Sequence, residues 1–298
     1  MSILFIVNPK AGNGKALKVF EKIKEKMKFL KKDYEIAYTK GPEDAITIAR
    51  EASNSFNKIV SVGGDGTLNE VVNGIAGSRA ILGVIPAGTG NDFAKTIYPS
   101  LNIDDILKTI IDGEVKSIDI GKCNNKYFIN IASAGIDAEI AHRVQRIKKS
   151  VPGKTVYLNA LFKTLASYKG IDFNIKLDDV SFKANTLLIT ASNGKYYGGG
   201  MIPTPDADIR DGYFDVCHIK NLNKLKIIAI LYKFIKGNHT SLKEVTIFKT
   251  KRLTIKADKK FFINIDGETL ETNEANLELY KDFINIVLPK NKDESFEI

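Results

Sequence analysis

Cysteine is scarce in this chain of 298 residues: only Cys123 and Cys217, far apart. Two cysteines in a chain of this length make no disulfide framework, so a reducing cytoplasm is the simpler expectation. Long apolar runs are lacking too. A spanning helix needs about 20 apolar residues, and the best segment, Leu225–Ile235, is short and carries Lys226 and Lys233. The first apolar run, Ile3–Val7, is too short for a secretion signal and has no basic residue before it. Any membrane contact is therefore expected to be peripheral. His142, His218 and His239 form no cluster, so no transition-metal site is predicted. No zinc-finger spacing or RNA-recognition aromatic motif supports a nucleic-acid partner.

What remains is the composition of a folded protein, 44% hydrophobic and 27% charged. The length suits about two domains. Lys and Arg number 44 against 35 Asp and Glu, a formal net charge of +9. That balance favours anionic partners: nucleic acid, nucleotides or an anionic membrane face.

The first 120 residues alternate apolar runs with helical patterns. Strands are predicted at Ile3–Val7, Tyr34–Tyr38, Lys58–Val62 and Ile81–Ile85. Helices are predicted near Ala16–Leu30, from Pro42-Glu43-Asp44, and over Leu68–Ile75. This alternation argues for a parallel, doubly wound α/β sheet. The later chain reads as many short strands: Val115–Ile120, Tyr127–Ile131, Phe173–Leu177, Asn185–Thr190, Tyr213–Ile219, Val245–Lys249, Arg252–Lys256, Phe261–Ile265 and Ile284–Leu288. Helical patterns interrupt them near Ile136–Ile147, Val156–Ser167 and Lys224–Ile235. A mostly antiparallel sandwich or barrel is expected there.

Ligands of a doubly wound sheet bind beyond the carboxyl ends of its strands, and the glycine-rich segments fall there. Asn8-Pro9-Lys10-Ala11-Gly12-Asn13-Gly14-Lys15 follows the first strand. Its glycines can turn backbone N–H groups toward a phosphate, and Lys15 can add a point charge. It is not a Walker A loop, since Ala16 follows Lys15. An ordinary strand-to-helix turn reads the same way. Gly63-Gly64-Asp65-Gly66-Thr67 places a carboxylate among three glycines. There a triphosphate can approach the main chain, Asp65 can hold Mg²⁺, and Thr67 can cap the next helix. Pro86-Ala87-Gly88-Thr89-Gly90-Asn91-Asp92-Phe93-Ala94 repeats the logic, with Asn91 or Asp92 also suited to capping. Asp266-Gly267 signals a hairpin turn. Read alone, Glu268 is an exposed strand residue.

Together, the N-P-x-A-G, G-G-D-G-T-L-N-E, G-T-G-N-D-F-A and late D-G-E segments resemble the diacylglycerol kinase catalytic domain family, in particular the soluble bacterial diacylglycerol and lipid kinases. G-G-D-G-T also occurs in phosphofructokinases and NAD kinases; G-T-G-N-D-F-A narrows the resemblance. It implies a nucleotide-binding α/β domain over 1–120, completed by 289–298, and a β-sandwich lipid-substrate domain over 121–288. It implies ATP contacts from Asn8, Gly12, Thr39, Gly64, Asp65, Gly66, Thr67, Leu68, Asn69 and Thr89, to which the residues themselves add Lys15 and Asn91. Mg²⁺ would sit at Asp65 with Asp92 and Asp119. A second, structural Mg²⁺ would take the Asp211 carboxylate and the Asp208 and Tyr213 carbonyls. Glu268 would be the general base. The implied activity is phosphorylation of a lipid alcohol, diacylglycerol first. Phosphatidylglycerol, a sphingoid base or an isoprenoid alcohol are alternative acceptors. An NAD-kinase-type enzyme and a catalytically silent lipid-binding regulator are the competing readings. A homodimer and peripheral contact with the inner face of the cell membrane complete the expectation. Two segments could make that contact, the basic run His142–Lys149 and Lys224–Lys236, where apolar residues mix with lysines; a solvated helix face for the first and core packing for the second are the plainer readings.

Overall fold

A computed structural model describes residues 2–148, 164, 165 and 167–290. Most of the helix expected over Val156–Ser167 lies outside them, as do Lys149 and 291–298. By contacts the chain forms two compact units. One runs to Ile120 and takes the chain back from Lys281; the other is Gly121–Tyr280.

The first unit holds the α/β sheet. Strands β1 (Ile3–Val7), β2 (Glu35–Tyr38), β3 (Lys58–Gly63) and β4 (Ile81–Pro86) pair in parallel in the order β2-β1-β3-β4. All of β1 and β3 is buried, as expected of parallel strands covered on both faces. Helix α1 (Lys15–Phe29) turns Ala16, Val19, Phe20, Ile23 and Met27 inward at helical spacing. Helices α2 (Asp44–Ala52) and α3 (Asp65–Ile75) pack on each other. Of two further short helices, α4 (Asp92–Ile97) begins where capping by Asn91 or Asp92 was considered, and α5 (Ile103–Asp112) was not anticipated; Asn102 caps it by accepting the Asp104 N–H. The returning chain adds a parallel fifth neighbour, with Asn285 and Ile286 beside Ile81 and Leu82 of β4.

The second unit is antiparallel and strand-rich. Strands β5 (Glu114–Cys123) and β13 (Glu268–Leu288) have residues in both units. Between them come β6 (Lys126–Phe128), β7 (Ile131–Gly135), α6 (Ile136–Lys148), β8 (Ile171–Leu177), β9 (Ser181–Ser192), β10 (Phe214–Lys220), α7 (Lys224–Ile235), β11 (Val245–Thr250) and β12 (Arg252–Ile265). The order is β11-β10-β9-β7-β12-β13. Strands β9 and β12 each pair with β8 along one stretch and β7 along another. Long strands that serve two layers make a sandwich. Phe128, Phe173, Phe214 and Phe261 fill its core.

Four strand predictions change. Tyr127–Ile131 divides into β6 and β7, because the Asp266 carboxylate takes the N–H groups of Ile129, Asn130 and Ile131 at the break. Arg252–Lys256 and Phe261–Ile265 fuse into β12, which is irregular where they meet. Ile284–Leu288 is only the end of β13, a strand of 21 residues.

Candidate active site

The carboxyl ends of β1, β2, β3 and β4 border a cleft of about 490 Å³. Asn8, Gly12, Thr39, Gly64, Gly66, Thr67 and Thr89, all among the residues named above as expected ATP contacts, line it. Close backbone approach shapes the cleft. Gly12 has φ +58, and a Cβ there would meet the Ala87 carbonyl oxygen at 2.4 Å. A Cβ on Gly88 would stand 2.4 Å from the Gly64 Cα, so the turns after β3 and β4 press main chain against main chain. The Asn8 amide donates to Thr67 Oγ1 at 3.0 Å and ties the first turn to α3.

Asp65 opens α3, with Gly64 at the cap position. Thr67 therefore lies inside the first turn and is not the cap. Asp65 Oδ1 instead accepts the Asp92 N–H at 2.7 Å, so it caps α4 from across the turn. Asp65 Oδ2 and Asp92 Oδ2 converge on Gly90, where an added Cβ would come within 2.9 and 3.4 Å of them. Lys95 pairs with the other Asp92 oxygen at 2.8 Å. Burial, and then the charge of Asp92, push the Asp65 carboxyl above its ordinary range; the N–H groups of Phe93, Asp92 and Asn91 pull the other way. A cation between two carboxylates relieves that penalty. The pair fits Mg²⁺, which takes one or two carboxylates and fills its shell with phosphate oxygens and water.

Other expected residues have different surroundings. Asn91 is buried and its amide closes on Gly88, accepting the N–H at 2.9 Å and donating to the carbonyl at 3.0 Å. It shapes the turn. Leu68 and Asn69 are buried on α3, and Lys15 is exposed; none of the three lines the cleft. Asp119 is fully buried, and its Oδ1 accepts the Asp282 N–H at 2.9 Å, which fastens the returning chain. Among the described residues no three His, Cys, Asp or Glu side chains converge as a metal centre. The residues the sequence reading missed are Lys10, Lys40 and Glu70, which also line the cleft. Lys10 and Lys40 lie within three residues of the ends of β1 and β2, so the strand-end rule could have found them. Glu70 accepts the N–H groups of Glu43 and Ala45 at the start of α2, a contact with no local signal.

In the second unit Glu268 begins β13, opposite Ile265 across a two-residue turn. Asp266 (φ +47) and Gly267 (φ +95) give that turn its left-handed backbone. The Asp266 carboxylate accepts three successive N–H groups, at 2.8, 3.2 and 2.9 Å. Gln145 of α6 donates to the Gly267 carbonyl at 2.7 Å. The half-exposed Glu268 carboxylate pairs with Lys126 at 2.6 Å. The 208–213 loop is closed by its own carboxylates: Asp208 accepts the Arg210 N–H and Asp211 that of Tyr213, both at 3.0 Å. The second Asp211 oxygen pairs with Lys249, whose ammonium also stands 3.5 Å from Asp215. The cation on Asp211 is thus a lysine. A second magnesium held by the Asp211 carboxylate and the Asp208 and Tyr213 carbonyls would have to displace that lysine.

The model for the diacylglycerol kinase catalytic domain matches residues 2–123, and that for the YegS C-terminal NAD kinase beta sandwich-like domain matches 130–288. A diacylglycerol kinase of Bacillus subtilis (strain 168) is 34% identical over 263 residues, 85% of each chain. One from Staphylococcus epidermidis is 35% identical over 247 residues, 81% of this chain and 77% of that protein. A crystal structure of a candidate diacylglycerol kinase from Bacillus anthracis superposes with a TM-score of 0.79 at 27% identity, covering 98% of both chains.

Proposed function

The chain belongs to the diacylglycerol kinase family, and from that premise we propose that it transfers the γ-phosphoryl group of ATP to a lipid hydroxyl, with diacylglycerol the first acceptor. The observation that carries this reading is the pair Asp65 and Asp92, converging at the edge where glycine backbones leave the strands. When bound, magnesium nucleotide supplies the transferable group and neutralises its charge. Gly64, Gly66 and Thr67 at the N-terminus of α3 would bind the phosphates through backbone N–H groups, and Lys10 and Lys40 would add charge. Asp65 and Asp92 would hold the ion. Glu268, paired with Lys126, would accept the proton of the attacking hydroxyl.

Access to lipid is proposed through the outer face of α7. Leu225 and Tyr232 are 82% and 63% exposed there, with Ile228 between them. Lys233 and Lys236 flank this apolar stripe, a composition suited to an anionic bilayer surface. Among the described residues no helix is long and apolar enough to cross a membrane. The homodimer belongs to the same proposal, and light scattering at working concentration tests it.

The deciding experiment is transfer of radiolabel from γ-labelled ATP to lipid alcohols in mixed micelles: diacylglycerol, phosphatidylglycerol, a sphingoid base and an isoprenoid alcohol, with NAD as a soluble control. Label is expected on diacylglycerol. Label on none of them, with intact nucleotide binding, would favour a silent regulator and overturn the kinase reading.

A further inference from the structure

A second cavity, of about 130 Å³, lies within the second unit between α7, the start of α6, and β9 and β10. Folded interiors are close-packed and leave few gaps of this size. Its walls are aliphatic and aromatic, from Leu187 and Leu188 of β9 to Ile230 and Phe234 of α7. Apolar cavities of comparable volume, about 150 Å³, stay dry and take up small hydrocarbons. The wall carries one carboxylate, Asp137. Ser133 Oγ donates to its Oδ2. Burial pushes the Asp137 carboxyl up to about 6, against the hydrogen bonds from Ser133, the Ala138 and Asp137 N–H groups and Asn264, which pull it down.

Helix α7 explains how such a space is reached. Ile227, Ile230, Leu231 and Phe234 face the cavity at the i, i+3, i+4, i+7 spacing. Ile235 both lines the cavity and is 48% exposed, so the cavity meets the surface beside it. A helix apolar on its inner and outer faces has a partner on each.

We propose that this cavity seats the terminal segment of one acyl chain of the lipid acceptor, entering beside Ile235. This rests on the lipid-kinase reading for its choice of ligand but is tested apart from it. The volume suits a few methylene groups, so the seat measures chain length. A lipid with very short acyl chains would be handled without it.

The first measurement is binding of cis-parinaric acid, a slim fluorescent acyl chain, to the full chain without nucleotide. Saturable binding at one site, displaced by dioctanoylglycerol, is expected. Leu231→Trp, which fills the cavity from a half-buried position, and Ile235→Asp, which charges its mouth from the surface, should each weaken it at least tenfold. Two variants of unlike exposure guard against misfolding of one. The second measurement is the ratio of kcat/KM for dioctanoylglycerol to that for dibutyrylglycerol. It should fall about tenfold in Leu231→Trp, with the dibutyryl value unchanged. No probe binding to wild type, wild-type binding by both variants, or an equal loss on both lipids would overturn the seat. Probe binding without any phosphoryl transfer would leave the seat standing and remove the kinase reading instead.

Discussion

Asp65 accepts the Asp92 N–H on one oxygen and turns the other toward Gly90 and the Asp92 carboxylate. Asparagine in its place keeps an acceptor for the N–H but removes the charge. Asp65→Asn is therefore expected to fold at least as stably as wild type, since a carboxyl disfavoured by burial is gone. Affinity for magnesium nucleotide should fall roughly tenfold, about 1.4 kcal/mol. Titration calorimetry with and without Mg²⁺ checks this, and an unaltered magnesium dependence would remove Asp65 from the ion's ligands. Glu268 is tested differently. Glu268→Gln keeps the side-chain length and loses the base. Turnover should drop roughly 10²–10⁴-fold with little change in nucleotide affinity. Because Lys126 loses its counter-charge in this variant, Lys126→Ala serves as a control for the ion pair alone. A turnover within tenfold of wild type would relieve Glu268 of that role.

Elements decide whether Glu268 is held still. The β12–β13 turn depends on Asp266, which binds the three N–H groups where β6 gives way to β7. Asp266→Ala leaves those donors without their acceptor. Hydrogen bonds to a charged partner contribute about 1.5–3 kcal/mol, so a loss on the order of 3 kcal/mol in urea denaturation is expected. Denaturation like that of wild type would mean the turn is held by Asn264 and Gln145 alone. Here the limits of sequence reading are visible. Asp266-Gly267 announced the turn because two left-handed residues in a row call for such a pair. It did not announce the Asp266 contacts, which join residues more than a hundred positions apart. The elements α1, α3 and β1 were legible because their apolar spacing is regular. The start of α4 was legible at Asn91 and Asp92, but not that its capping carboxylate is Asp65, 27 residues upstream. Strand β13 was read short because Glu271 to Glu274 breaks the apolar pattern in its exposed middle. The glycine turns of the cleft were legible as types of chemistry; that Asn91 folds back on Gly88 was not.

At the scale of the whole molecule, the proposed reaction would bring a formal charge of +9 to a lipid in a membrane. Charge alone acts over about a Debye length, some 8–10 Å at physiological salt. It can gather the protein at an anionic surface without fixing which side faces it. Under that proposal the apolar stripe on α7 would supply the missing direction, because Leu225, Ile228 and Tyr232 gain only where hydrocarbon replaces water. The Tyr232 hydroxyl accepts from Lys236 at 2.8 Å, so the polar edge of that ring already lies beside a positive charge. The two contributions separate in a vesicle experiment. Sedimentation with phosphatidylglycerol vesicles should weaken several-fold when NaCl rises from about 0.1 to 0.5 M, where the Debye length shortens toward a few ångströms. The triple variant Leu225→Ser, Ile228→Ser, Tyr232→Ser should lose at least tenfold at low salt, with nucleotide affinity intact. Equal binding to neutral phosphatidylcholine would discard the electrostatic part. Equal binding by the triple variant would discard α7 as the docking face, and the basic residues Arg143 and Arg146 of α6 would become the next surface to test.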